Sequence, residues 1–401
     1  MTGVAECLAR IDARDRLIHA WRHVDRAPSL DVDGPLRGLC AGVKDVIDVR
    51  GMPTRHGSRL YESHVALEDA ACVAALRRSG AIILGKTTST QFASPVAVGV
   101  ANPHDLTRTA GVSSSGSAAA VADGMAHLAL GTQTGGSIIR PAAYCGVVGM
   151  KPSLDAINRS GILHVRPSLD TVGAFAQTVE VAASAFAALT GTSPVRDASG
   201  PARIGVCRTL EWPQARAETR EAIALVASEG VAAGVEVVDV DLPPPFDDAL
   251  DAFRIIVTVE TAVTMAKDFA HGIETMNAWL QQTAREATRI QDEDYRGALA
   301  VAQRCREALQ PVFDRCDVLL APATAGEAPA RLSGLDDPYF CPLWTMMHGP
   351  ALSLPVHEGP SGLPVGVQLV GRIGDDRRLL GVARWIERVV RSRRARRGSS
   401  Q

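Results

Sequence analysis

Two glycine-flanked serine clusters fall within one short stretch: Gly111-Val112-Ser113-Ser114-Ser115-Gly116-Ser117 and Gly131-Thr132-Gln133-Thr134-Gly135-Gly136-Ser137. The end of the second, Thr134 to Ser137, is built like an oxyanion hole with a nucleophile beside it. Consecutive glycines let several backbone N–H groups converge on one point without Cβ clashes. A serine next to such donors can be acylated, and the carbonyl oxygen it attacks is stabilised on the spot.

Such a serine needs a base. The chain has ten histidines, and none lies in a motif that singles it out for a Ser-His-Asp arrangement. Lys44 is different. It sits in Gly42-Val43-Lys44-Asp45-Val46-Ile47-Asp48, an otherwise apolar strand, where a lysine needs a reason. Taken alone it also fits a snorkelling or salt-bridged side chain. A lysine accepts a proton near neutral pH only if its surroundings lower its pKa from about 10.4. The flanks Val43, Val46 and Ile47 supply apolar burial of that kind.

The elements that must position these residues alternate between strand and helix. Apolar spacing predicts an amphipathic helix over 4–24, a loop over 31–35 and one or two short strands within 39–49. A helix over 69–79 ends at Gly80, and a buried strand follows at 81–84. A small-residue helix (118–122) backs the first serine cluster, and a strand (127–130) leads into the second. Beyond them come a helix at 179–189, a linker-like segment at 191–201, and a strand–helix–strand unit over 204–206, 220–233 and 235–240. Helices over 247–270 and 294–313, strands at 318–320, 351–356 and 365–370, and a helix at 378–390 complete the chain. This rhythm indicates an α/β sheet with helices on both faces. The arginines from 391 onward read as a solvated, disordered basic tail.

The chain has 401 residues, 46% hydrophobic, 21% charged and 4% aromatic, which is ordinary globular composition with enough material for a large core. A net charge of −2 gives no electrostatic case for nucleic acid or a membrane surface. Nothing approaches the roughly 18 continuous apolar residues of a membrane span, and the first residues lack a basic region leading into an apolar one. Eight cysteines without Cys-x-x-Cys spacing read as reduced thiols of a cytoplasmic protein.

Together these features resemble the amidase signature family. The matching motifs run in order: Gly42 to Asp45, Gly85-Lys86-Thr87, the serines at 113–117, Gly131 to Ser137, Cys145-Gly146, Lys151-Pro152, Leu169-Asp170-Thr171-Val172-Gly173 and Gly362 to Gln368. The resemblance implies a single domain over 1–401, with an N-terminal helical segment (1–34) and a large mixed sheet covered by helices on both faces. It also implies a Ser–cis-Ser–Lys triad. Ser137 matches the nucleophile, Ser113 (twenty-four residues upstream) the cis-serine that relays the proton, and Lys44 the base. The N–H groups of Thr134, Gly135, Gly136 and Ser137 match the oxyanion hole. No metal and no cofactor is called for; a small-molecule amide and a homodimer are the implied partners.

Departures from the pattern narrow the expectation. Gln133 stands where most members have Asp, and Arg140 comes one residue later than usual. Both features resemble the malonamidase branch, in which that arginine holds the substrate's free carboxylate; Gln177 and Thr132 are further substrate-side candidates of that branch. Arg140 equally suits a pair with Asp170, and Gln177 an exposed polar position. Val112 replaces a glycine beside Ser113, and Ser115 replaces another. The implied activity is hydrolysis of a small carboxylate-bearing amide such as malonamate, through an acyl-enzyme. The alternatives are a broader amidase or arylacylamidase for neutral amides, a glutaminase-type component of an amidotransferase, and a catalytically inert binding protein.

Overall fold

The computed structural model describes residues 3–29, 33–195, 203–332 and 339–398. Its strands are β1 Trp21–Val24, β2 Cys40–Lys44, β3 Ile82–Thr87, β4 Ala101–Asn102, β5 Asp105–Thr109, β6 Leu128–Gln133, β7 Val148–Lys151, β8 Thr171–Ala176, β9 Ile204–Cys207, β10 Val237–Val240, β11 Val318–Pro322, β12 Ala351–Glu358 and β13 Pro364–Val370. Eleven of them form one sheet in the order β1-β3-β2-β6-β8-β7-β12-β13-β11-β9-β10, while β4 and β5 make a separate hairpin. The sheet is mixed: β3, β2 and β6 run parallel, β8 enters antiparallel to β6, and β11, β9 and β10 are again parallel.

Among the described residues twelve α-helices surround the sheet: α1 Gly3–Ile18, α2 Ala71–Arg78, α3 Ser115–Ala122, α4 Ile139–Cys145, α5 Val179–Thr190, α6 Ala217–Ala232, α7 Ala249–Thr264, α8 Ala266–Gly272, α9 Ala278–Ala287, α10 Asp292–Leu309, α11 Pro342–Met346 and α12 Asp376–Gly398. Strand β11 shows why both faces are covered. Successive side chains of a strand point to opposite faces. Val318 and Leu320 pack in a cluster with α5, α6 and α12, and Leu319 and Ala321 in another with α4, α7 and α10. A strand buried on both faces must be apolar throughout, which is how 318–320 reads.

Three expectations are corrected. The N-terminal helix stops at Ile18, because His19 adopts φ 62° and the Asp15 carboxylate accepts the N–H groups of Ala20 and Trp21 at 2.7 and 3.3 Å. Trp21–Val24 instead form the edge strand β1 on β3, so the segment 1–34 is not wholly helical. The basic tail continues α12 as far as Gly398, since Arg and Ala are good helix formers and Arg391 pairs with Glu387 one turn back at 3.0 Å. Residues 399–401 lie outside the described residues, as do 31–32 of the expected loop and 196–201 of the expected linker. All eight cysteines are buried free thiols. Among the described residues no helix is long and apolar enough to cross a membrane.

Candidate active site

Parallel pairing of β2 with β6 places the C-terminal ends of both strands at one edge of the sheet, the edge where open α/β sheets carry their ligands. Lys44 is the last residue of β2, and β6 leads directly into Thr134-Gly135-Gly136-Ser137 and then α4. The first serine cluster turns into α3 beside them. Ser114 Oγ donates to the Thr132 carbonyl (3.2 Å) and Ser117 Oγ to the Leu130 carbonyl (2.8 Å), fastening that turn to β6. Gly116 is obligatory here: a Cβ would lie 2.5 Å from the backbone of Ala20 and Thr88.

Lys44 is fully buried. Its Nζ donates to Ser113 Oγ at 2.9 Å and to Thr132 Oγ1 at 2.8 Å. Burial brings its pKa down to about 7; the charge of Asp170 opposes that shift and the guanidinium of Arg166 adds to it. Asp45, the next residue, pairs with buried Lys86 at 3.3 Å, and Lys86 Nζ also donates to Thr54 Oγ1 at 2.7 Å. Burial lowers Lys86 to about 8 against the pull of Asp45. This pair fixes the backbone immediately after Lys44.

Ser137 sits in the turn between β6 and α4. Gln133 holds that turn: its Oε1 accepts the N–H groups of Ile138 (2.8 Å) and Ile139 (3.0 Å), and its Nε2 donates to Thr345 Oγ1 at 3.0 Å. Asp170 holds the other side, accepting the Thr134 hydroxyl and the N–H groups of Val165 and Arg166, both at 2.9 Å. Among the described residues the N–H groups of Thr134, Gly135, Gly136 and Ser137 donate to no other group. All four residues line a cavity of about 450 Å³. Unengaged N–H donors ahead of a helix are the kind of arrangement that favours negative charge.

The same cavity is lined by Arg140, Arg166 and the apolar side chains of Phe253, Val257 and Trp279. Arg140 lies in the first turn of α4, three residues after Ser137, and is buried. Val112 is buried but does not line the cavity.

Three sequence expectations need correction. Among the described residues no peptide bond is cis, so Ser113 is not a cis-serine here. The trans form is lower by about 2.5–4 kcal/mol for a non-proline bond, and the Ser113 hydroxyl reaches Lys44 without the cis one. Thr132 is a partner of Lys44 rather than a wall of the cavity. Gln177 lies far from Ser137, because β8 runs antiparallel to β6 with Leu128 opposite Ala176 and Gln133 opposite Thr171. It therefore emerges at the opposite edge of the sheet, exposed, and lines a different pocket with His104 and Glu387. No hydrogen bond joins Ser113 to Ser137 among the described residues; catalytic contacts commonly tighten only when substrate binds.

Sequence reasoning missed Arg166 and the positioning roles of Gln133 and Asp170. Gln133 carried a signal, a side-chain acceptor at the start of a Gly-Gly turn. Arg166 carried none, since its Thr261 and Trp279 neighbours come from distant helices.

A family profile described as Amidase matches residues 4–380. The chain belongs to the amidase family. It is an enzyme acting on amide C–N bonds. Among curated relatives, this amidase is 31% identical over 450 residues to a protein of Solidesulfovibrio magneticus named as one of the subunits of glutamyl-tRNA(Gln) amidotransferase, covering 95% of this chain and 92% of that protein. Among solved structures, one described as an amidase superposes with a TM-score of 0.88 at 28% identity, covering 97% of this chain and 96% of the other. A peptide amidase from Stenotrophomonas maltophilia gives 0.81 at 28%, covering 97% and 93%. The large mixed sheet with helices on both faces is the fold of these amidases.

Proposed function

We propose that this amidase hydrolyses a medium-sized amide with a substantial apolar portion, through an acyl-enzyme on Ser137. The observation that carries the size is the cavity of about 450 Å³ in front of Ser137, walled by Phe253, Val257 and Trp279. Pockets of roughly 300–1,000 Å³ bury drug-sized ligands, and a three-carbon amide such as malonamate would leave most of this one empty. A broad-specificity amidase therefore fits better than a malonamate-specific one.

Ser137 Oγ attacks the amide carbonyl carbon while its proton passes to Ser113, which gives its own to the neutral amine of Lys44. The carbonyl oxygen becomes an oxyanion held by the N–H groups of Thr134 to Ser137. As the C–N bond breaks, the proton returns through Ser113 to the leaving nitrogen. Water then attacks the ester, delivers its proton along the same relay and frees Ser137 and a carboxylic acid.

A panel of amides with purified enzyme tests this reading: malonamate, glutamine, aliphatic amides and anilides. Aryl or longer alkyl amides should exceed malonamate in kcat/KM, and turnover of malonamate alone contradicts the size argument. The relatives named for glutamyl-tRNA(Gln) amidotransferase support a second reading, a glutaminase that hands ammonia to a partner protein. Glutamine as the preferred substrate, with a co-purifying partner, favours that reading.

A further inference from the structure

Arg166 is 2% exposed, yet it lines the cavity in front of Ser137. Its Nε donates to Thr261 Oγ1 at 2.9 Å, and its Cζ lies 5.5 Å from the centroid of the Trp279 ring. Helices α7 and α9 thus fix both the position and the plane of the guanidinium. Its two terminal nitrogens donate no hydrogen bond among the described residues, and no carboxylate there lies within ion-pair distance.

Two acids stand near Arg166, but both are engaged elsewhere. Asp170 accepts the Thr134 hydroxyl and the N–H groups of Val165 and Arg166. Glu260 accepts the Tyr295 hydroxyl at 3.0 Å and the Ser168 N–H at 3.1 Å. They offset the buried charge at a distance and leave its fork unused. The acids that line the cavity, Glu211 and Glu286, are partly and fully exposed, and neither pairs with Arg166. A buried, immobilised guanidinium with free terminal donors is costly unless it receives an anion.

Resting on the reading of Ser137 as an amide-cleaving serine, we propose that Arg166 is a carboxylate-recognition residue, so that the preferred amide carries a carboxylate on an apolar arm that lies against Trp279. The fork geometry selects a planar carboxylate, which accepts two parallel N–H bonds. This subsite is separate from Arg140, which belongs to the helix following Ser137; Arg166 comes from the loop entering β8.

The test compares two anilides of equal chain length, one ending in a free carboxylate and one in a methyl group. A charge-assisted hydrogen bond corresponds to roughly 10–100-fold, so the native enzyme should prefer the acid by about that factor in kcat/KM. Arg166→Gln should raise KM for the acid far more than for the neutral anilide and so remove the preference. Any change in kcat from the lost charge near Lys44 is shared by both anilides, and Arg166→Lys should restore part of the preference. Titration calorimetry of glutarate on the Ser137→Ala enzyme, with and without Arg166→Gln, reads the same subsite without turnover. Equal turnover of both anilides by the native enzyme overturns the proposal, as does an equal loss on both in Arg166→Gln and Arg166→Lys. If neither anilide is cleaved and Ser137 also resists acylating reagents, it is the amide-hydrolysis reading that fails.

Discussion

The Nζ of Lys44 lies 2.9 Å from Ser113 Oγ, with both side chains removed from solvent. A lysine so placed is held by hydrogen bonds to Ser113 and Thr132 and, among the described residues, by no direct carboxylate partner, so burial sets its protonation. Burial brings its pKa to about 7. That makes it a base at neutral pH, which an ordinary lysine is not.

Activity should therefore fall on the acid side as Lys44 takes up a proton. The kcat/KM profile is expected to show one limb near pH 7, rising with pH. Lys44→Met should lower activity by roughly 10²–10⁴-fold. A flat profile between pH 5 and 9 in the native enzyme would remove Lys44 from the role of base.

Stability carries the same signature with a definite sign. The folded pKa of Lys44 (about 7) lies below its ordinary 10.5, so between those values the unfolded chain holds the extra proton. Stability from this group then rises with pH across that window, by up to about 1.4 kcal/mol per pH unit. Lys44→Met should flatten that rise in denaturant titrations at pH 7, 8 and 9, and an unchanged slope would mean that Lys44 keeps an ordinary pKa in the fold.

Gln133 should matter through the turn it holds. Gln133→Ala leaves the N–H groups of Ile138 and Ile139 without their acceptor and costs about 1–3 kcal/mol of stability. Because those residues follow Ser137 directly, kcat should fall more than KM rises. Thermal melts and steady-state kinetics on this variant check both halves.

Gln177 provides the matching negative. Antiparallel pairing of β8 with β6 carries it to the far edge of the sheet, so Gln177→Ala should leave kcat/KM within about twofold, in keeping with the small effect of surface changes away from a site. A larger loss on the best amide would contradict the separation of the two edges.

Much of the site was legible because the chemistry is local. Ser137 follows two glycines, and Lys44 stands out in an apolar strand; each is visible within a few residues. The alternation of strand and helix carried the α/β architecture for the same reason. What stayed hidden depends on register and tertiary approach. Thr132 reads as any strand threonine until β2 brings Lys44 beside it. The side chain of Gln177 could be assigned to an edge only once β8 was known to run against β6. Arg166 owes its character to Thr261 and Trp279, about a hundred residues away in the chain. The helix break at His19 rests on a single left-handed residue and an aspartate cap, which apolar periodicity does not register.

The most direct measurement is peptide mapping by mass spectrometry after treatment with a fluorophosphonate, on the native enzyme and on Ser113→Ala and Lys44→Met. The expected result is one covalent adduct on Ser137, formed at neutral pH by the native enzyme and slowed in both variants by roughly 10²–10⁴-fold. An adduct on another residue, or labelling of Ser137 at the native rate in both variants, would contradict the account.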